Sequence, residues 1–263
     1  MSVPGRPDRP NETAGRDDRP APTPPGWLIT RPEPGAATEA ATRAAQGWTP
    51  IRAPLTELRK VPAAPDLSGL SSLVFTSANG VRCADLPGAA RALPAWCVGP
   101  ATAEAARAAG FDARTPPEDA GGNAEALAAH LSAALAPGAR LLHLRGRHGT
   151  GGLAEALARD GITLSEAVVY EMAEADPAPA AAALRAGRLE GAGFWSPRAA
   201  RLFAGMVAGA PDLLAPAARI SAAAISPAAA AALAPVGFRR IVVSERPDGA
   251  AMDAAALALL SAR

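Results

Sequence analysis

Four short apolar runs, each passing through small polar residues into a helix, most constrain what this chain can fold into. Phe75-Thr76-Ser77-Ala78-Asn79-Gly80-Val81 is followed by Cys97-Val98-Gly99-Pro100-Ala101-Thr102-Ala103-Glu104. Later, Phe194-Trp195-Ser196-Pro197-Arg198 is followed by Ala224-Ile225-Ser226-Pro227-Ala228-Ala229-Ala230. A strand that leads straight into a helix leaves the helix's first N–H groups at the strand's carboxyl end, where an anion is stabilised. Two such pairs in the same order predict two related α/β domains whose loops face a common ligand.

The rest of the chain fits around these pairs. Residues 1–25 are rich in Pro, Arg and Asp, lack hydrophobic periodicity and read as a disordered tail. Trp27 to Thr30 predicts a strand, and Glu33 to Gln46 a helix stopped by Gly47. An extended segment from Ile51 to Leu58 contains Pro54, which belongs on an edge strand or a ribbon. Strands at 73–76, 95–98 and 141–144 alternate with helices near 79–86, at 100–109, after Asn123 and at 153–159. Ala167 to Met172 is a strand without a tight turn after it, read as a return path pairing with 51–58. From about 180 onward, helices and strands alternate again, with strands at 192–195, 220–225 and 240–243. Alternation of this kind predicts parallel sheets covered by helices. The expected fold is therefore α/β, with two similar parallel-sheet domains joined by a two-stranded β-ladder hinge. The first domain is discontinuous (26–50 and 178–263), the second (61–166) is inserted, and 51–60 and 167–177 are the hinge strands.

Composition excludes more than it selects. The 263 residues, 49% of them apolar, suffice for two cores, and a net charge of +1 makes no case for nucleic acid or a membrane surface. Lys60 is the single lysine and lies in a polar connector, which argues against Schiff-base chemistry. Cys83 and Cys97 have no metal-ligand spacing, so no metal site is expected and a reduced, cytoplasmic protein is the default. No apolar run is long enough to span a bilayer, and the N-terminus lacks the apolar core of a secretory signal.

Taken together, Thr30-Arg31-Pro32, Phe75-Thr76-Ser77, Val98-Gly99-Pro100-Ala101-Thr102, Gly122-Asn123-Ala124-Glu125, Val169-Tyr170, Phe194-Trp195-Ser196-Pro197 and Ile225-Ser226-Pro227 make the chain similar to the uroporphyrinogen-III synthase family over residues 27–260. No single junction is specific; their order and spacing carry the resemblance. It implies two α/β domains joined by a two-stranded ladder, an active site in the cleft between them, and no cofactor or metal. The implied substrate is hydroxymethylbilane, a linear tetrapyrrole that is cyclised with inversion of ring D. Transient hand-over from hydroxymethylbilane synthase and a monomeric state are further expectations.

The pyrroles supply the electrons in that reaction, so the protein must supply geometry and one proton donor. Positioning alone is worth about 7–11 kcal/mol in favourable intramolecular cases. Tyr170, the only tyrosine, falls at the family's Val-Tyr motif and is the implied donor to the departing hydroxyl, since a phenol is protonated at neutral pH. It also reads as a packed strand aromatic. Helix N-termini at Ser77, Asn79, Gly99, Thr102, Asn123, Ser196, Pro197 and Ser226 are candidate donors to the substrate's carboxylates. Arg31, Arg145, Gly146 and Arg198, which lie just after strands, complete the candidate set. Ser77, Asn79, Asn123 and Ser196 equally read as caps or turn residues, and Arg198 as a solvated helix residue. His130 and His143 read as structural, and His148, in the Gly-rich loop, as a lesser candidate for substrate contact.

Two stretches depart from the family pattern. Ile225 to Ala230 lacks the threonines that relatives carry, and the loop from Arg145 to Gly152 is unusually glycine-rich, leaving Arg147 to replace a missing arginine. The same loop supports a rival reading. Gly149-Thr150-Gly151-Gly152-Leu153-Ala154 fits G-x-G-x-x-A before a helix, with Glu171 at a plausible distance, as in an NAD(P) fingerprint. Against it, four residues separate strand 141–144 from the first glycine. A catalytically silent module that binds tetrapyrroles or other polyanions is the third reading.

Overall fold

The computed structural model describes residues 24–117, 120–149 and 151–260. The tail expected over 1–25 lies outside these residues except for its last two. Pro25 is already engaged, its carbonyl accepting from the Thr49 N–H at 2.8 Å. Thr150, in the middle of the glycine-rich loop, also lies outside.

Two sheets organise the chain. The first has five parallel strands in the order β11-β10-β9-β1-β2. It joins β1 (Gly26–Ile29) and β2 (Thr49–Arg52) to β9 (Leu189–Phe194), β10 (Ser221–Ala224) and β11 (Arg240–Val243). The second has the order β3-β8-β7-β4-β5-β6. Its strands are β3 (Thr56–Lys60), β4 (Ser72–Phe75), β5 (Pro94–Cys97), β6 (Asp112–Arg114), β7 (Arg140–Gly146) and β8 (Thr163–Glu174). Every pairing is parallel except β3 with β8. The protein is a two-domain α/β fold whose first domain is built from both ends of the chain.

Both sheets bury both faces, as parallel sheets with helical crossovers must. In β4, Leu73 and Phe75 point into one core cluster and Val74 into another across the sheet. The first sheet is covered by α1 (Gly35–Ala45), α6 (Ala178–Arg185), α7 (Pro197–Ala208), α9 (Pro227–Leu233) and α10 (Gly249–Leu260), with short α8 (Leu214–Arg219) between. The second carries α2 (Ala78–Cys83), α3 (Pro100–Ala108), α4 (Ala124–Ala134) and α5 (Leu153–Ala158). Within the first sheet, Gly191 leaves room for the ring of its cross-strand partner Trp27, which a Cβ there would meet at 2.6 Å.

The connection between the sheets is the expected two-stranded ladder, but its outgoing segment is not one continuous strand. The extended segment beginning at Ile51 is divided. Residues up to Arg52 belong to the first sheet, and a new strand starts at Thr56. Pro54, with no N–H to give a ladder, sits at the break, while Ala53 and Leu55 are buried and donate to the Ile29 and Thr30 carbonyls. β8 runs longer than expected and changes partner along its length. Thr163 to Tyr170 lies parallel to β7, and Tyr170 to Glu174 pairs antiparallel with β3. Tyr170 stands at the changeover, opposite Gly146 on one side and Lys60 on the other, where the β7 register shifts.

Candidate active site

The carboxyl ends of both sheets are where an α/β fold places a ligand. A cavity of about 550 Å³ lies there with lining from both domains. The first domain supplies the turn from Arg31 to Gly35 and the start of α7 with Trp195, Ser196 and Arg198. The second supplies Asn79 and Arg82 of α2, and Thr56 and Met172 of the ladder complete the wall. Its size falls within the range of small-molecule sites, roughly 300–1,000 Å³.

Arg31 is the least committed of the three arginines in this cleft. Its guanidinium lies 3.9 Å from the centre of the Trp195 ring, and a Cβ at Gly35 would collide with it. Among the described residues, no carboxylate lies within ion-pairing distance of Arg31. Burial pulls its pKa down, and the charge of Glu39 opposes that. Arg82 donates to Asn79 Oδ1 at 3.0 Å, and Arg198 donates to the Met172 carbonyl at 2.7 Å, strapping α7 to the ladder. Glu33, the one acid among the described residues of the lining, already pairs with Arg52 at 3.0 Å. The cleft is therefore a cationic surface suited to an anionic ligand.

The family model described as uroporphyrinogen-III synthase HemD matches residues 37–253. The chain belongs to the uroporphyrinogen-III synthase family. Its members serve tetrapyrrole biosynthesis. The crystal structure of uroporphyrinogen-III synthetase from Helicobacter pylori is similar over 89% of this chain and 99% of its own, at 18% identity and a TM-score of 0.59. A mutant uroporphyrinogen III synthase from the extremely thermophilic bacterium Thermus thermophilus matches over 90% of this chain and 99% of its own, at 20% identity and a TM-score of 0.48. No curated protein matches the chain.

A second cavity, of about 380 Å³, lies at the carboxyl edge of the second sheet and gathers a further group of the residues singled out from the sequence. Ser77, Asn123, Arg145, Gly146, His148 and Tyr170 all line it. The Tyr170 hydroxyl is 2.9 Å from Ser77 Oγ, which itself accepts from the Gly80 N–H at 3.0 Å. Gly146 leaves room for the phenol, since a Cβ there would lie 2.7 Å from the ring. Deeper in the cavity, His143 Nε2 meets Thr76 Oγ1 at 2.8 Å and Nδ1 faces Glu166 at 3.4 Å. Arg145 binds the other oxygen of Glu166 at 2.7 Å. Burial lowers the His143 pKa, with Arg145 adding to that and Glu166 opposing it.

The helix N-termini offer fewer donors than the sequence implies. Ser77, Asn123, Ser196 and Ser226 each accept from an amide of their own helix, at 2.8 to 3.2 Å. Pro100, Pro197 and Pro227 occupy the opening turns of α3, α7 and α9, where they contribute no N–H. Gly99, Thr102, Pro197 and Ser226 line neither cavity, and Thr102 is buried. Among the described residues, the charged donors lining the two cavities are therefore mainly guanidinium groups.

Arg82 and Trp195, which line the cleft, and Glu39, bonded to Trp195, are residues that sequence reasoning missed. For Arg82 a signal existed, because it stands one turn after Asn79 on the same helix. For Glu39, in an Ala-rich helix remote in sequence from Trp195, there was none. Of the dinucleotide reading, Glu171 is engaged by Arg147 at 2.6 Å, and β7 lies inside the sheet with Arg147 and His148 between its end and the first glycine. Arg147 is thus already paired. Cys83 and Cys97 are both buried and free, and burial pushes the Cys97 thiol up to about 11. No cluster of metal ligands occurs among the described residues. Nor, among those residues, is any helix long and apolar enough to cross a membrane.

Proposed function

We propose that this chain is a cyclising hydro-lyase that converts hydroxymethylbilane to uroporphyrinogen III in the cleft between its domains. The observation that carries this reading is the cleft cation Arg31, held without a carboxylate partner among the described residues, beside Arg82 and Arg198 in a cavity walled by both domains. The substrate's acetates and propionates are the complementary anions. Asn79 and the hydroxyl of Ser196 are neutral partners on opposite sides of that space.

The reaction asks little else of the protein. Tyr170 donates its proton to the ring A hydroxyl, which leaves as water and generates an azafulvene cation. Ring D attacks through its substituted α-carbon, giving a spirocycle. The bond from that carbon to the ring C methylene then breaks, and the free α-carbon of ring D recloses on that methylene. The proton lost there restores the phenol, so the cycle balances without a cofactor. Ser77, which holds the Tyr170 hydroxyl, orients the donor. Hand-over from hydroxymethylbilane synthase, a monomeric state and a cytoplasmic location belong to the same proposal.

A coupled assay tests it. Freshly generated hydroxymethylbilane is supplied with and without the protein, and the isomers are read after oxidation to porphyrin. Predominance of type III supports the reading, and type I alone at the spontaneous rate rejects it. One observation favours the rival, a binder without turnover: the Tyr170 hydroxyl is already bonded and lines the loop cavity rather than the cleft cavity. The same assay separates the two.

A further inference from the structure

We infer that Glu39 is a positioning residue for Arg31, acting through the indole of Trp195, and that the three form a preset receptor for one carboxylate of the substrate. This rests on the functional reading above and adds residues that the reading itself does not use. Glu39 is 3% exposed, in a helix whose one other long side chain is the buried Arg43, 3.8 Å from Glu39 Oε1. A carboxylate so placed is costly unless its oxygens are engaged. Here both are: Oε1 accepts from Trp27 Nε1 at 3.0 Å and Oε2 from Trp195 Nε1 at 2.6 Å. Burial still raises its pKa, against the opposing pull of both indoles, Arg43 and Arg31. The fold also makes room for it, since a Cβ at Gly193 would lie 2.6 Å from Oε1.

Trp27 belongs to the core, whereas Trp195 belongs to the cleft wall. Anchoring the Trp195 N–H fixes the plane of the indole, and that plane sets the guanidinium of Arg31, 3.9 Å from its centre. The absence of a side chain at Gly35 leaves space for the same group. Stacking of this kind holds a cation without consuming its N–H donors. The negative charge of Glu39 stabilises Arg31 from behind the ring, so the guanidinium stays charged although partly buried and unpaired. Its planar fork is then free to take a carboxylate through two hydrogen bonds. Arg82 and Arg198 differ, because each has already committed donors to Asn79 or the Met172 carbonyl.

The test uses the full chain and four variants: Trp195→Phe, Glu39→Gln, Arg31→Ala and Trp195→Phe with Arg31→Ala. Trp195→Phe is the principal one, because it deletes the cleft-side N–H and leaves the Trp27 bond to Glu39 in place. In the coupled assay it should raise KM for hydroxymethylbilane about fivefold to tenfold with kcat little changed, Glu39→Gln should follow it, and the double variant should be no worse than Arg31→Ala alone. An unchanged KM, or a Trp195→Phe effect of equal size whether or not Arg31 is present, overturns the inference. If the wild type forms only type I isomer, the functional reading fails separately. The linkage is then read by calorimetric titration with uroporphyrin I. The same non-additive loss of affinity supports it, while additive losses, or no binding to the wild type, overturn it.

Discussion

Arginines at the strand ends of the two domains have opposite fates. In the second domain, Arg145 and Arg147 each close on a glutamate from β8, Glu166 and Glu171. In the first, Glu39 is turned inward onto two indoles and the buried Arg43, and among the described residues Arg31 is left stacked but unpaired. Both sheets belong to one architecture, yet one edge satisfies its own charges and the other leaves a charge for a ligand. Where a fold keeps a desolvated cation and withholds the obvious acid, the missing partner is best sought outside the chain.

The largest expected effect tests the division of labour between the two edges. Tyr170→Phe should lower kcat by about 10²- to 10⁴-fold if the second domain supplies the proton. Thermal unfolding should confirm that the variant is folded, and unchanged turnover would remove Tyr170 from the chemistry. Next comes charge. Arg31→Ala should cost about 10- to 100-fold in kcat/KM, the worth of a hydrogen bond to a charged group. Arg145→Ala, already neutralised by Glu166, should cost under about threefold. Equal losses in the coupled assay would erase the contrast.

Two glycines sharpen the comparison in stability. Gly193→Ala drives a Cβ toward the buried Glu39 carboxylate at 2.6 Å, and Gly146→Ala drives one toward the Tyr170 ring at 2.7 Å. Both should destabilise, by about 1–3 kcal/mol in urea unfolding. Gly193→Ala should be the worse, because the phenol can yield into the adjoining cavity whereas Glu39 is held at both oxygens. The smallest effect is a pH dependence confined to the second domain. Burial depresses the His143 pKa, so the unfolded chain binds the extra proton more readily. Stability is therefore lost as pH falls through about 6.5, the ordinary histidine value, toward the folded pKa. His143, faced by Thr76, Glu166 and Arg145, should transmit this to the acid limb, and His143→Gln should flatten it in unfolding curves taken from about pH 7.5 to 5.5, a window that brackets the ordinary histidine value.

Most of the fold was legible because strand–loop–helix junctions repeat, and alternation of apolar strands with Ala-rich helices admits few other layouts. What escaped was local. β6, Asp112-Ala113-Arg114, is too short and polar to declare itself, and α8 is barely more than a turn. The break at Pro54 was visible as a proline but not as the point where one sheet ends and another begins. At the site, strand-end residues such as Arg31, Ser77 and Tyr170 could be named because their neighbours in sequence mark a junction. Glu39 and Trp195 are separated by 156 positions and meet only because β1 and β9 lie side by side. No periodicity encodes such a meeting. Thr102 shows the converse, a residue in a recognisable junction whose helix turns it into the core.

The change of partner along β8 has a mechanical side. Only five residue pairs of antiparallel ladder, Thr56–Lys60 against Tyr170–Glu174, continue from the second sheet toward the first. Any swing of one half against the other must be taken up as torsion in that narrow strip. Tyr170 is its inner end, already clamped to the inserted body through Gly146 and Arg147. A hydroxyl at a fulcrum travels least, and Arg31 travels little more, because its neighbour Thr30 accepts from the Leu55 N–H beside that strip.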